Sequence, residues 1–156
     1  MLASDAALEL IKKHEGLRLR SYLDQAGKWT IGWGHTGDDV GQGMIIGLAD
    51  AIRYLAEDLH FVEYALTRMV VHEIKQQEFD ACCSLAFNIG TEAFRRSTLL
   101  KFLNFGESKK AAEEFLRWCK VTLPNGKKIS VPGLTNRRAA EREYFLTGRL
   151  NGQTFP

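Results

Sequence analysis

The chain has 156 residues, 45% of them hydrophobic and 26% charged, with a formal net charge of +2. That length suits one compact domain, or two small lobes sharing a helix, and the composition excludes a disordered chain. No run approaches the roughly 20 apolar residues of a membrane span, and Met1 to Ala7 lacks the basic and apolar regions of a secretory signal, so neither stable membrane insertion nor a signal peptide is expected.

In chain order, Ser4 is placed to cap a short helix from about Asp5 to His14, with Ala7, Leu8 and Ile11 on one face. Gly16 stops that helix by taking the left-handed conformation. From Arg18 to Gly34 the texture changes: Leu19 and Tyr22, then Trp29, Ile31 and Trp33, alternate with polar or small residues. This predicts a small antiparallel β unit turning at Gly27. Gly37 to Gly47 contains four glycines and reads as a loop. A long helix follows over Leu48 to Met69, with Ala49, Ile52, Leu55, Ala56, Leu59, Val62 and Leu66 in register. Gly47 can cap it only weakly. Further helices are predicted over Lys75 to Asn88, Thr98 to Asn104, Ser108 to Trp118 and Leu134 to Thr147. Pro124-Asn125-Gly126 marks a hairpin turn within Val121 to Val131. The class is α+β: a small β-containing N-terminal lobe of about residues 12–47, and a larger helical lobe of about 70–150 packed with helix 5–14. The long helix joins them within one domain spanning 1–156.

Charge and cysteine usage bound the partners. Of the 21 lysines and arginines, 13 lie beyond residue 94. Such a face suits a polyanion, whether nucleic acid or an anionic cell wall, or is simply solvated surface. Cys82, Cys83 and Cys119 form no CxxC pair and read as reduced thiols, with a bridge from Cys119 to Cys82 or Cys83 left open. No metal or cofactor is expected.

Two carboxylates draw attention. Glu15 and Asp24 would lie on opposite faces of one helix and roughly 30 Å apart on an extended chain. Gly16 and the β unit supply the reversal that could make them neighbours. At the C-terminal end of its helix Glu15 meets the negative end of the dipole, which disfavours its ionised form, as a general acid requires. Asp24, in a polar turn, would stay ionised, and two carboxyls in contrasting environments are what glycoside hydrolysis uses. Spacing alone is weak evidence for such a pair.

The run Glu15-Gly16-Leu17-Arg18-Leu19-Arg20-Ser21-Tyr22-Leu23-Asp24, then Gly27, then Trp29-Thr30-Ile31-Gly32-Trp33-Gly34-His35-Thr36, resembles the signature of the phage-type lysozymes (glycoside hydrolase family 24). Phe87-Asn88-Ile89-Gly90, Ser97-Thr98-Leu99-Leu100, Pro132-Gly133-Leu134 and Arg137-Arg138-Ala139-Ala140-Glu141 extend the likeness over nearly the whole chain. They resemble the branch found in lambdoid and P22-like phages. Met44-Ile45-Ile46-Gly47 departs from it, standing where that family often has Ile-Thr to cap its long helix.

The resemblance implies a lysozyme-like fold and an endolysin that cleaves peptidoglycan glycan strands as a monomer without a cofactor, held in the host cytoplasm until holin-dependent release. It matches Glu15 to the proton donor, Asp24 to the second carboxylate and Thr30 to a residue holding the attacking water, with inversion at the anomeric carbon. That outcome needs carboxyls roughly 6.5–9.5 Å apart. Phe87, Asn88 and Ser97 match substrate-contacting positions, and either Arg137 or Arg138 matches an arginine reaching Glu15. His35 is expected to brace the lobe through a carboxylate. Each has a structural alternative: core packing for Phe87, a helix cap for Ser97, solvated arginines, and burial rather than sugar stacking for Trp29 and Trp33. Three other functions fit these residues less well. A lytic transglycosylase needs no Asp24 or Thr30. A non-catalytic wall-binding protein would have lost one of the three residues, and a nucleic-acid-binding domain has no motif here.

Overall fold

A computed structural model describes residues 1–154. Helix α1 (Asp5–Glu15) starts where Ser4 Oγ accepts a hydrogen bond from Ala6 N–H at 3.2 Å. It ends at Gly16, with φ 69° and ψ 150°. This is not the left-handed helical conformation expected from the sequence. It is an extended, positive-φ conformation open chiefly to glycine, and it turns the chain directly into the sheet.

Strands β1 (Arg18–Leu23), β2 (Trp29–Gly32) and β3 (His35–Thr36) form an antiparallel sheet in that order. Tyr22 faces Thr30 and Thr30 faces Thr36, so Thr30 is central to the sheet. The β1–β2 turn is pinned by Asp24, as described below.

Helix α2 (Leu48–Met69) begins at Gly47 with no side-chain cap, as the sequence predicts. Its buried face runs Ala51, Tyr54, Leu55, Leu59, Val62 and Leu66. Ala49, Ile52 and Ala56, expected in that register, are exposed instead. The first half of α2 packs on one side only, with Tyr54 in a small cluster with Ile31 and Val40. That narrow footing leaves the flank of an otherwise sound helical period in water.

Helices α3 (Gln76–Ile89), α4 (Thr91–Arg95), α5 (Thr98–Asn104), α6 (Ser108–Glu114) and α7 (Pro132–Thr147) surround the main core. The α4 turn was not foreseen, being only five residues long. Helix α6 is shorter than predicted, because Phe115–Arg117 tightens into a 3₁₀ turn. The predicted hairpin is β4 (Lys120–Thr122) paired with β5 (Lys128–Ser130), and a short pair, β6 (Arg149–Leu150) with β7 (Gln153–Thr154), follows α7. Pro132 opens α7 at a position needing no donor, two residues before the expected start.

The main core joins α1 to the helical body through Leu10, Ile11, Leu66, Phe79, Phe94 and Phe145. Each such side chain contributes about 1.5–3 kcal/mol when fully buried. A polar knot locks the start of α1: buried Asp80 accepts from Ser4 N–H at 2.9 Å, Ser4 Oγ at 2.6 Å, Gln76 Nε2 at 2.9 Å and the Tyr144 hydroxyl at 3.1 Å. Burial and Asp80 push the Tyr144 hydroxyl up to about 12. Cys82, Cys83 and Cys119 are all free, and burial raises the first two thiols well above their ordinary value.

Candidate active site

Glu15 is the last residue of α1, and the turn at Gly16 leaves its carboxyl at the junction of sheet and helices. It lines a cleft of about 640 Å³ with His14, Gln25, Asn88, Leu134 and Arg137, among others. Gly34 lies against it: a Cβ at that position would stand 3.3 Å from Glu15 Oε2. The backbone there has φ +89°, so glycine is favoured both by conformation and by the carboxylate's approach.

Arg137 holds the other carboxylate oxygen. Its Nη1 donates to Glu15 Oε1 at 2.5 Å, its Nε to Glu141 Oε1 at 3.1 Å and its Nη2 to Ser84 O at 3.2 Å. Glu141, one helical turn along α7, is fully buried. It also accepts from Ser84 Oγ at 2.6 Å and pairs with Arg138 Nε at 2.7 Å. Burial pushes the Glu141 carboxyl up, opposed chiefly by Arg138 and Arg137. Burial also lowers Arg138, whose Nη1 donates to Asn88 Oδ1 at 3.1 Å. Of the two arginines left open by the sequence, Arg137 meets Glu15 and Arg138 sits behind it. The field at Glu15 therefore has two opposed sources, the negative helix end and a positive guanidinium.

Asp24 closes the β1–β2 turn. Its Oδ1 accepts from Ala26 N–H and Lys28 N–H, each at 2.8 Å. The next residue, Gln25, shares the Glu15 cleft. Thr30 is buried, and its hydroxyl donates to Lys28 O at 3.1 Å, leaving the oxygen able to accept.

His35 stands between two carboxylates. Its Nδ1 lies 2.9 Å from Asp58 Oδ2 and its Nε2 3.2 Å from Asp39 Oδ2, while the ring stacks on Tyr54 at 4.1 Å. Burial raises the Asp58 carboxyl against the pull of His35. At Asp39 burial acts upward, but the His35 hydrogen bond, a backbone hydrogen bond and the His35 charge together outweigh it, and that carboxyl is lowered. These contacts tie β3 to α2.

The other positions separate. Asn88 lines the Glu15 cleft, whereas Phe87 lines a neighbouring cavity of about 320 Å³ that Gly34 also borders. Ser97 caps α5, accepting from Leu100 N–H at 3.1 Å, and borders a third cavity that does not contain Glu15. Trp33 is buried in the main core with Lys12 over its ring, so it offers no exposed stacking face. Trp29 is half-buried against the small cluster of Ile31, Val40 and Tyr54. Among the described residues no three His, Cys, Asp or Glu side chains converge to hold a metal ion, and no helix is long and apolar enough to cross a membrane.

Sequence reasoning missed Glu141, although its spacing of four and three from Arg137 and Arg138 is the signal for a helical ion-pair set. It also missed His14 and the approach of Gly34, which only the folded chain reveals.

The phage lysozyme family model matches residues 12–141. The endolysin of Acyrthosiphon pisum secondary endosymbiont phage 1 is 44% identical over 145 residues, covering 93% of this chain and 98% of the relative. The endolysin of Salmonella phage P22 is 40% identical over 151 residues, covering 94% and 99%. The solved structure of an endolysin from Escherichia coli O157:H7 phage FAHEc1 superposes with a TM-score of 0.90 at 38% identity, covering 96% of each chain.

Proposed function

The chain belongs to the phage lysozyme family, and from that premise we propose that it is an endolysin muramidase. It hydrolyses the β-1,4 bond between N-acetylmuramic acid and N-acetylglucosamine in peptidoglycan and so lyses the host cell. The observation that carries this reading is Glu15, held at a helix end between Arg137 and Gly34 and opening into a cleft large enough for a sugar chain.

In this mechanism Glu15 gives its proton to the glycosidic oxygen as the bond from that oxygen to the anomeric carbon breaks. Water attacks the opposite face of that carbon. Asp24 takes the proton released by the water, while Thr30 Oγ1, its own hydrogen committed to Lys28, accepts from the same water. The anomeric carbon is inverted, and exchange with solvent resets the two carboxyls. Arg137 acts as Glu15 loses its proton, because the new carboxylate is then opposite a guanidinium already in place. Asn88 contacts substrate in the cleft, and His35 is a support, not a proton carrier.

The enzyme works as a monomer on two lobes, 12–47 and 70–150, without a metal or cofactor. Before lysis it waits in the host cytoplasm for a membrane pore to admit it to the wall. The test is product analysis of digested peptidoglycan. A reducing-end muramic acid, formed first as the α-anomer, is expected. An anhydro-muramic product would replace hydrolysis by transglycosylation, and a β-anomer would replace inversion by retention.

A further inference from the structure

Charge is unevenly divided along the chain. Residues 1–94 carry 8 lysines and arginines against 14 aspartates and glutamates, whereas residues 95–156 carry 13 against 5. Part of that excess gathers around one hollow, the cavity of about 440 Å³ that Ser97 borders. Among the described residues Arg96, Arg117, Lys120 and Lys128 line it, with Glu114 as their single carboxylate. Glu114 pairs with Arg117 at 3.2 Å, and Arg96 pairs at 2.8 Å with Glu92, which is not part of the lining. Lys120 and Lys128 are exposed and, among the described residues, have no carboxylate at ion-pair distance.

The hairpin register brings the two lysines together. Lys120 pairs with Ser130 and Thr122 with Lys128, so Lys120, Thr122 and Lys128 share one face of β4–β5. Val121 takes the opposite face, and it lines the Glu15 cleft. One thin wall thus turns an apolar side to the cleft and a cationic side to the hollow. Like charges held around a hollow repel one another, and no carboxylate of the described residues relieves these two lysines. We propose that the hollow is an anion-binding site, separate from the Glu15 cleft, that takes a phosphate group of nearly two negative charges. That group is either free in solution or the phosphomonoester of a lipid headgroup. The lining carries three more positive charges than negative, which such a phosphate answers better than a lone carboxylate. The hydroxyls of Thr98 and Thr122 add donors for its oxygens. The site is independent of the muramidase reading, since it would hold its ligand whether or not Glu15 cleaves a glycan.

The experiment titrates the isotope-labelled full chain with inorganic phosphate at about 20 mM ionic strength, using chloride as the matched control, and follows the amide spectrum. Saturable shifts are expected at Thr98, Thr122, Lys128 and the Trp118 indole, which line the hollow, with Kd about 1 mM or tighter. Gly133 and Asn136, which line the Glu15 cleft, should not move. Lys120→Ala combined with Lys128→Ala should weaken binding about tenfold or more. Lys101→Ala combined with Lys109→Ala removes the same charge from exposed positions that border neither cavity, and should change Kd by less than about twofold. A second arm measures cosedimentation with phosphatidylcholine vesicles, with and without phosphatidic acid. Capture by phosphatidic acid that the Lys120/Lys128 variant loses marks the lipid headgroup as the source, and phosphate binding without capture marks the free anion. Shifts that never saturate, shifts centred on Gly133 and Asn136, or equal losses in the two double variants would overturn the site.

Discussion

Arg137 reaches back across 122 positions of sequence to place Nη1 2.5 Å from Glu15 Oε1, while its Nε stays 3.1 Å from Glu141 Oε1. Arg137, Arg138, Glu15 and Glu141 thus form a four-charge set that sums to zero when Glu15 is ionised. With Glu15 protonated the set carries one excess positive charge. Transfer of the proton to a leaving oxygen removes that imbalance, so the arrangement stabilises what forms during the reaction more than what precedes it.

Replacing Arg137 should therefore affect rate and fold together. Arg137→Ala leaves buried Glu141 with Arg138 as its remaining cation, and breaking a buried pair typically costs about 3–5 kcal/mol. Arg137→Lys keeps a charge but cannot serve Glu15, Glu141 and Ser84 O at once. It should remain folded with activity reduced about 10- to 100-fold. Urea unfolding with turbidity assays on permeabilised cells checks both, and wild-type turnover in Arg137→Lys would refute the role in the reaction.

Glu15→Gln separates charge from shape. The amide keeps an oxygen for Arg137 and fits the space beside Gly34, and Arg137 retains Glu141, so the variant should fold with its stability lowered by about 1–3 kcal/mol, the worth of a hydrogen bond to a charged group. It has no proton of suitable acidity, and clearing of permeabilised cells should vanish. Asp24→Asn and Thr30→Ala should also be severe. If both retain near-normal rates, water handling belongs to other groups.

How much of this was readable beforehand follows the range of the interactions. Local signals held: Ser4 as a cap, the limits of α2 and α5, the turn at Gly27 and the hairpin at Pro124-Asn125-Gly126. Contacts between distant segments were not readable. Nothing local separates Arg137 from Arg138 until α7 is docked, when the first points at Glu15 and the second at Asn88. Ser97 illustrates the converse, since its cap was one of two readings and the cavity it borders is not that of Glu15. Burial of Trp33 and exposure of Ile52 likewise depend on which neighbour arrives, not on period.

Gly34 offers a test of the close approach in the cleft. In Gly34→Ala the new methyl would meet Glu15 Oε2 at 3.3 Å on a backbone with φ +89°. A non-glycine residue in a sparsely populated conformation costs about 1–3 kcal/mol. The carboxyl must also shift, and small displacements of a catalytic group cost about 100-fold in rate. Activity should fall far more than stability, measured at a temperature where the variant is folded. A loss of activity no larger than the unfolded fraction explains would remove Gly34 from the site.

His14 makes stability depend on pH. Burial, followed by the nearby charge of Arg137, lowers its imidazole to about 4 from an ordinary 6.5, and its Nε2 is buried without a partner. Between those values the unfolded chain binds a proton that the folded chain refuses. The native state is thus fully favoured above pH 6.5, and this part of its stability is lost as pH falls toward 4. The shift corresponds to no more than about 3 kcal/mol, and partial exposure of the ring reduces that to about 1–2 kcal/mol. His14→Gln has no such titration, so its stability should fall less than that of wild type between pH 7 and pH 4.5. Urea unfolding of both proteins at the two pH values isolates the difference from the carboxylates they share. Parallel losses would mean that His14 takes up its proton as readily in the folded chain as in the unfolded one.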